Sequence, residues 1–139
     1  MDNAIYTALY SKLSGGTALC ALVGGTATPR IYHSIAPDNA TLPYVIFTWA
    51  AGGYSSLDSH VTGEGIFRIQ AIATTSAKDA GAVAKEVYNL LDRKSLTITG
   101  FTSVSLFAEP PHIDMTSLSE SGIYYFSSGD DYRLRVEKT

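Results

Sequence analysis

The stretch GIFRIQAIATTSAKDAGAVAKEVYNLLDRK, residues 65–94, changes its hydrophobic period partway along. Up to Ala73 it alternates: Phe67, Ile69, Ala71 and Ala73 fall on one side, Arg68 and Gln70 on the other, the period-2 signature of a half-buried strand whose polar face looks outward. From Ser76 the period lengthens to that of a helix. Ala80, Val83, Ala84, Val87 and Leu91 form a stripe opposite Lys78, Lys85, Glu86 and Arg93, and Ser76 followed by Asp79 resembles a capping box. A strand that feeds directly into an amphipathic helix predicts a helix laid back on a sheet.

Outward from this unit the chain reads as mixed helix and strand. DNAIYTALYSKL, residues 2–13, repeats Ile5, Leu9 and Leu13 at helical spacing, with Asp2 and Asn3 as start signals and Gly15-Gly16 as the stop. ALCALV, residues 18–23, predicts a short second helix capped by Thr17 and closed by Gly24-Gly25. RIYHSI (30–35) predicts a short strand and PYVIFTWA (43–50) a strong one. In the latter Tyr44 and Ile46 lie on one face and Val45, Phe47 and Trp49 on the other, so both faces need cover. After the helix, LTIT (96–99) and VSLFAEP (104–110) predict two more strands around Gly100. A half-buried last strand carries Tyr132, Leu134 and Val136 against Arg133, Arg135 and Glu137, with SSGDD before it reading as either a bulge or a turn. The order α, α, β, β, β, α, β, β, β predicts a single α+β domain over residues 1–139, with a mixed, mostly antiparallel sheet and the helices packed on one face.

Composition removes several classes of function. A chain of 139 residues, 45% of them hydrophobic, can bury a core without disulfide or metal staples, and the single Cys20 in an apolar run reads as a small buried hydrophobe. A net charge of −3 with no cluster of cations argues against a phosphate-gripping surface. The longest apolar stretch, Pro43 to Ala51, is far short of the roughly 20 residues that cross a bilayer, so neither a membrane anchor nor an export signal is expected.

Catalytic patterns are sparse. His33, His60 and His112 lack metal-ligand spacing and read as surface or hydrogen-bonded histidines; no metal or cofactor is expected. Ser, His and Asp occur together in SSLDSH (55–60) without the G-x-S-x-G elbow that holds a serine nucleophile, and the paired glycines match no phosphate loop. Asp130 and Asp131 are adjacent, so in a strand they point to opposite faces and cannot share a substrate; a solvated turn is the plainer reading. No catalytic residue is assigned, and a small hydrolase is a distant alternative.

The informative feature is an imbalance of cover. Tyr44, Ile46 and the cluster Tyr124, Tyr125 and Phe126 ask for apolar neighbours on more sides than the available helices can serve, and a partner surface is the simplest provider. The connection GGYSSLDSHVTGEG (52–65) is too long for an ordinary hairpin turn. Val61, Gly63 and Gly65 are in phase with Phe67 and Ile69, so part of it reads as strand, with YSSLDS at the tip of a projecting arm. Tyr54 and Leu57 supply apolar anchors there, and Asp58, His60 and Glu64 polar specificity.

Taken together, YTALYSKL and ALCALVGG near the start, RIYHSIAPDNATLPYVIFTWA in the middle, FRIQAIATTSAKDAGAVAKEVYNLLD, and the closing SGIYYFSSGDDYRLRVEK resemble the tail-terminator, or tail-completion, proteins of long-tailed bacteriophages. The resemblance covers nearly the whole chain and departs at FSSGD (126–130), where the path into the last strand is longer than the family's. It implies an assembly protein and not an enzyme: a homo-oligomeric, hexameric ring on the head-proximal end of the tail tube, which halts tube growth and presents the surface met by head completion or connector proteins. It also implies a virion location after assembly in the host cytoplasm, with genomic DNA passing through the lumen without specific binding. Tyr44, Ile46, Tyr54, Leu57, Asp58, His60 and Glu64 are the candidate subunit or tube contacts; a head–tail connector or neck ring component is the alternative.

Overall fold

The computed structural model describes residues 3–57 and 60–138; for residues 53–57, 60, 61, 103 and 138 it describes the backbone alone. Two helices, α1 (Asn3–Ser14) and α2 (Thr17–Leu22), precede the strands β1 (Ile31–His33), β2 (Tyr44–Leu57) and β3 (His60–Ala73). The helix α3 (Ala77–Leu91) follows, and β4 (Phe101–Leu118) and β5 (Tyr124–Lys138) complete one five-stranded sheet in the order β1-β2-β3-β5-β4. Among the described residues the β1–β2 pair is parallel and the other three pairs are antiparallel. The fold is α+β, with the helices on one side of the sheet.

The period change in residues 65–94 is what builds this arrangement. Phe67, Ile69, Ala71 and Ala73 are all buried, and the stripe Ala80, Val83, Ala84, Val87 and Leu91 is buried above them. The turn between the two is fixed by Ser76, whose Oγ accepts a hydrogen bond from the Asp79 N–H at 3.1 Å; the Asp79 carboxylate turns to the Thr75 hydroxyl. Across the sheet, Phe67 pairs with Tyr132 and Gly65 with Leu134, and Leu106 pairs with Leu134 from the other side. α1 adds Ile5, Leu9 and Leu13, and α2 adds Leu19 and the buried Cys20, so all three helices feed one core.

Four expectations need correction. α2 begins at Thr17 itself, with Gly16 in the capping position and no side-chain cap; a Cβ at Gly16 would meet the Leu90 side chain of α3 at 2.3 Å, so a larger residue there would have to displace it. LTIT is no strand: Leu96 and Ile98 are buried and Thr97 and Thr99 exposed, an alternation that imitates one, but this segment only lays two side chains on the core between α3 and β4. SSGDD is neither bulge nor turn. It runs straight through β5, and the irregularity lies opposite, where β4 moves from Glu109↔Asp131 to Ile113↔Gly129 and sets Pro110, Pro111 and His112 against the single residue Asp130. In the 52–65 connection Val61, Gly63 and Gly65 are strand as expected, but the pairing runs on from Gly52↔Gly65 to Leu57↔His60, with β5 alongside as far as Val61↔Lys138, so Tyr54 to Leu57 continue the sheet and are not the tip of a free arm.

Glycines decide the closeness of that hairpin. The Trp49 ring lies across Gly65, where a Cβ would sit 1.7 Å from Trp49 Cη2, and it meets Phe67 edge-on at 4.9 Å. Gly81, inside α3, has nothing near the position of its missing Cβ. Gly65→Ala is expected to lower the unfolding free energy, because the indole must leave its seat, whereas Gly81→Ala should raise it by about 0.5–1 kcal/mol through helix propensity. Urea denaturation of the two variants checks both signs.

Candidate functional site

The face of the sheet opposite the helices divides into an apolar half and a charged half. At the end where β2 begins, Tyr44 and Ile46 are half-buried, Tyr32 meets Tyr44 edge-on at 5.7 Å, and Ile72 pairs directly with Tyr44. Burial, with Tyr125 and Tyr32 close by, holds the Tyr44 hydroxyl above its ordinary pKa. No helix covers these groups; they shield one another only partly.

Toward the other end the same face carries ion pairs across three strands. Arg133 on β5 stands between Glu109 on β4 and Glu64 on β3 and donates to both carboxylates, while Arg135 reaches Glu64 at 3.5 Å and lies 5.9 Å over the Phe107 ring. Arg68 makes a two-pronged pair with Asp131 at 2.8 and 3.1 Å. The hydrogen bond from Arg133 is the main reason that the Glu64 carboxyl titrates below its ordinary range. Arg133 answers with a raised pKa, from Glu109 first and Glu64 second.

The sequence-predicted contacts therefore fall into two places. Tyr44 and Ile46 sit at the apolar end, and Glu64 at the charged end, eight residues further back along β3 from the partner of Tyr44, a distance of about 26 Å at ordinary strand rise. Tyr54, Leu57 and His60 belong to the paired backbone of the β2–β3 hairpin, and Asp58 lies outside the described residues.

Sequence reading singled out Tyr124 and Tyr125 as short of cover but missed the outer part of β4 that pairs with them. β3 stops at Ala73, opposite Phe126, so Tyr124 and Tyr125 pair with β4 alone, and Met115, Leu118, Ile123 and Tyr124 are all large apolar side chains left exposed. It also missed a polar cluster at the base of this segment. His112 Nδ1 is 2.8 Å from Asp130 Oδ1, and His112 Nε2 is 2.9 Å from Asp114 Oδ1 and 3.0 Å from Ser128 Oγ. These residues are spread over positions 112–130, and only the β4 irregularity brings them together. Asp130 is therefore not in a solvated turn; it is buried, while Asp131 points to the opposite face as its neighbour's parity requires.

Ser128, His112 and Asp130 line up like a hydrolytic triad, yet the chemistry opposes that use. Ser128 is 2% exposed, so no substrate carbonyl can reach its hydroxyl. A second carboxylate, Asp114, shares Nε2 with the serine, and Asp130 raises the His112 pKa, which favours an imidazolium with both nitrogens donating. A general base needs the opposite state. Among the described residues no group of His, Cys, Asp and Glu is arranged to hold a metal ion.

The sheet is covered by helices on one face, with half-buried apolar side chains on the other and exposed ones on the overhanging β4–β5 hairpin. Residues 7–116 match the family described as Tail completion protein gp17, and the chain belongs to that family, whose members are structural components of phage-type tails. Among solved structures, a chain of the virion of a native gene transfer agent particle superposes with a TM-score of 0.71 at 22% identity, over 97% of this chain and 96% of that one. A second solved chain shares the fold with a TM-score of 0.58 at 13% identity, over 96% of this chain and 94% of that one. No curated protein sequence matches.

The charged half of the face makes a pH prediction. Because its folded pKa is depressed, Glu64 contributes stability that is present above the ordinary carboxylate value of about 4.3 and is lost as the pH falls through the folded value. In Arg133→Met the Glu64 carboxyl should titrate at higher pH, leaving Glu64 and Glu109 without their shared cation. Carboxyl NMR titration reads this directly, and an unchanged Glu64 curve would show that Arg135 suffices.

Proposed function

We propose that the protein is a tail terminator: residues 1–139 act as one such domain, copies of which close into a hexameric ring on the head-proximal end of the tail tube. The ring stops tube polymerisation and offers its other side to the head completion or connector protein. The observation that carries this reading is the uncovered apolar end of the sheet at Tyr44 and Ile46 in a chain of the tail completion family. A ring needs one heterologous contact repeated about an axis, and an apolar face that the monomer cannot cover supplies one side of such a contact.

In this reading Tyr44 and Ile46 lie at the centre of the subunit or tube contact. Tyr54 and Leu57 at the β2–β3 hairpin end add apolar anchors, and Asp58, His60 and Glu64 supply its polar specificity. DNA passes through the lumen unheld, consistent with the net charge of −3, and the protein performs no catalysis and needs no cofactor. It belongs to the head-proximal end of the virion tail, with assembly in the host cytoplasm.

The test uses purified protein with preformed tube protein. The wild-type chain should form rings that cap one tube end, seen by electron microscopy and sedimentation. Ile46→Asp and Tyr44→Asp should keep the monomer's circular dichroism while losing rings and caps. Replacing residues 54–60 by a Gly-Ser linker should weaken capping in the same assay. Caps that form equally well with both aspartate variants would overturn the assignment of the face, and a wild-type protein that binds only the head connector would favour the neck-component alternative.

A further inference from the structure

The His112 cluster sits where the β4–β5 hairpin changes character. Below it, β4 pairs in regular register up to Glu109↔Asp131; beyond it the pairing resumes at Ile113↔Gly129 and carries the outer segment with its exposed Met115, Leu118, Ile123 and Tyr124. Gly129 anchors β5 at this point, since a Cβ there would lie 2.1 Å from the Ile69 carbonyl oxygen and no larger residue fits against β3. On the β4 side, Pro110 and Pro111 have no N–H to give. Within this interruption of the ladder, the side chain of His112 bonds to Asp130 and Ser128 of β5.

We propose that His112 is a proton-operated clamp on this hairpin: as the imidazolium it joins buried Asp130 on β5 to Asp114 on the outer part of β4, and loss of its proton releases Asp114 and loosens residues 113–128. An imidazolium has two N–H donors and serves both carboxylates at 2.8 and 2.9 Å, while the Ser128 hydroxyl is free to donate to Asp114. Neutral imidazole has one donor. Asp130, the more deeply buried carboxylate, keeps the Nδ1–H, and Nε2 becomes an acceptor facing the Asp114 carboxylate with no proton between them. Ser128, 3.0 Å away, can then satisfy Nε2 only by turning its O–H from Asp114. One deprotonation therefore takes the Nε2 donor from Asp114 and leaves the single Ser128 O–H to be shared between Nε2 and Asp114.

The other groups around the cluster are consistent with this assignment. From α3, Lys85 and Tyr88 line the same cavity as His112 and Asp130, and β5 contributes the buried Tyr132 hydroxyl, which has no partner among the described residues. Lys85, exposed on α3, makes no hydrogen bond or ion pair with either carboxylate among the described residues, so the imidazolium is the cation in hydrogen-bonding contact with both. The folded pKa of His112 is raised, by its bond to Asp130 first. A raised value means that the clamp is fully present below the ordinary imidazole pKa of about 6.5 and is lost as the pH rises through the folded value.

The test is made on the isolated full-length chain, so it does not depend on ring formation and can fail or succeed apart from the tail-terminator reading. His112 is followed by NMR, and amide exchange is compared between the outer hairpin and residues 66–71 of β3 as an internal reference for base catalysis. In wild type, protection of the outer hairpin relative to that reference should fall through the His112 titration, by about tenfold for each unit separating the closed and open pKa values. His112→Gln should lack the step. Asp114→Asn, which keeps an acceptor but removes the charge, should shift the step to lower pH and shrink it while the chain stays folded. A flat relative protection across the wild-type titration, or an identical step in His112→Gln, would overturn the proposal.

Discussion

Everything in this structure depends on the packing of one helix stripe on one sheet face. Ala80, Val83, Ala84, Val87 and Leu91 cover Phe67, Ile69, Tyr132 and Leu134, and this contact joins the middle of the chain to its end. Small residues at two of the five stripe positions let α3 approach the sheet closely enough to seal the largest side chains, including Tyr132 with no exposure. Since α1 and α2 add to the same side, the opposite face is left to solve its own solvation. A two-layer fold has only that freedom.

The free face solves it by division. Over the part where β3, β5 and β4 lie side by side, arginines and carboxylates alternate across strands: Glu64, Arg133 and Glu109 in one row, Arg68 and Asp131 in another. Exposed pairs of this kind add little to stability. Their effect is on what the surface attracts, since desolvating them against a partner costs more than any single pair returns. At the β2 end the charges stop and Tyr32, Tyr44, Ile46 and Ile72 remain, so the face presents a bounded apolar area and not a continuous one.

Legibility in the sequence followed the range of the interactions. The strand-to-helix unit at 65–94 was readable because both periods and the Ser76 cap are local, and the parity of Arg133, Arg135 and Glu137 against Tyr132, Leu134 and Val136 held for the same reason. LTIT failed because burial alternates wherever an extended segment crosses a core, whether or not a neighbouring strand offers hydrogen bonds. The irregularity around residues 110–130 was assigned to the wrong strand: Gly129 in SSGDD looked like a turn residue, but its glycine serves the close approach of β3, and the extra residues are on β4. His112, Ser128 and Asp130 could not be grouped without that register. The resemblance to tail-terminator proteins, by contrast, rested on the combination of local patterns and needed no register at all.

The edges of the sheet constrain how copies or partners can meet. β1 is an edge of three residues, too short to template a long added strand. β4 is 18 residues long, but its outer side is interrupted: Pro110 and Pro111 bring no donors, the Ala108 N–H is taken by Asp92 at 2.8 Å, and Lys94 bridges Leu106. Strand addition along this edge would have to break those contacts first. Association through faces and through the overhanging hairpin tip breaks none, and contacts between two different patches of one molecule can close into a ring only if their geometry sets a fixed angle.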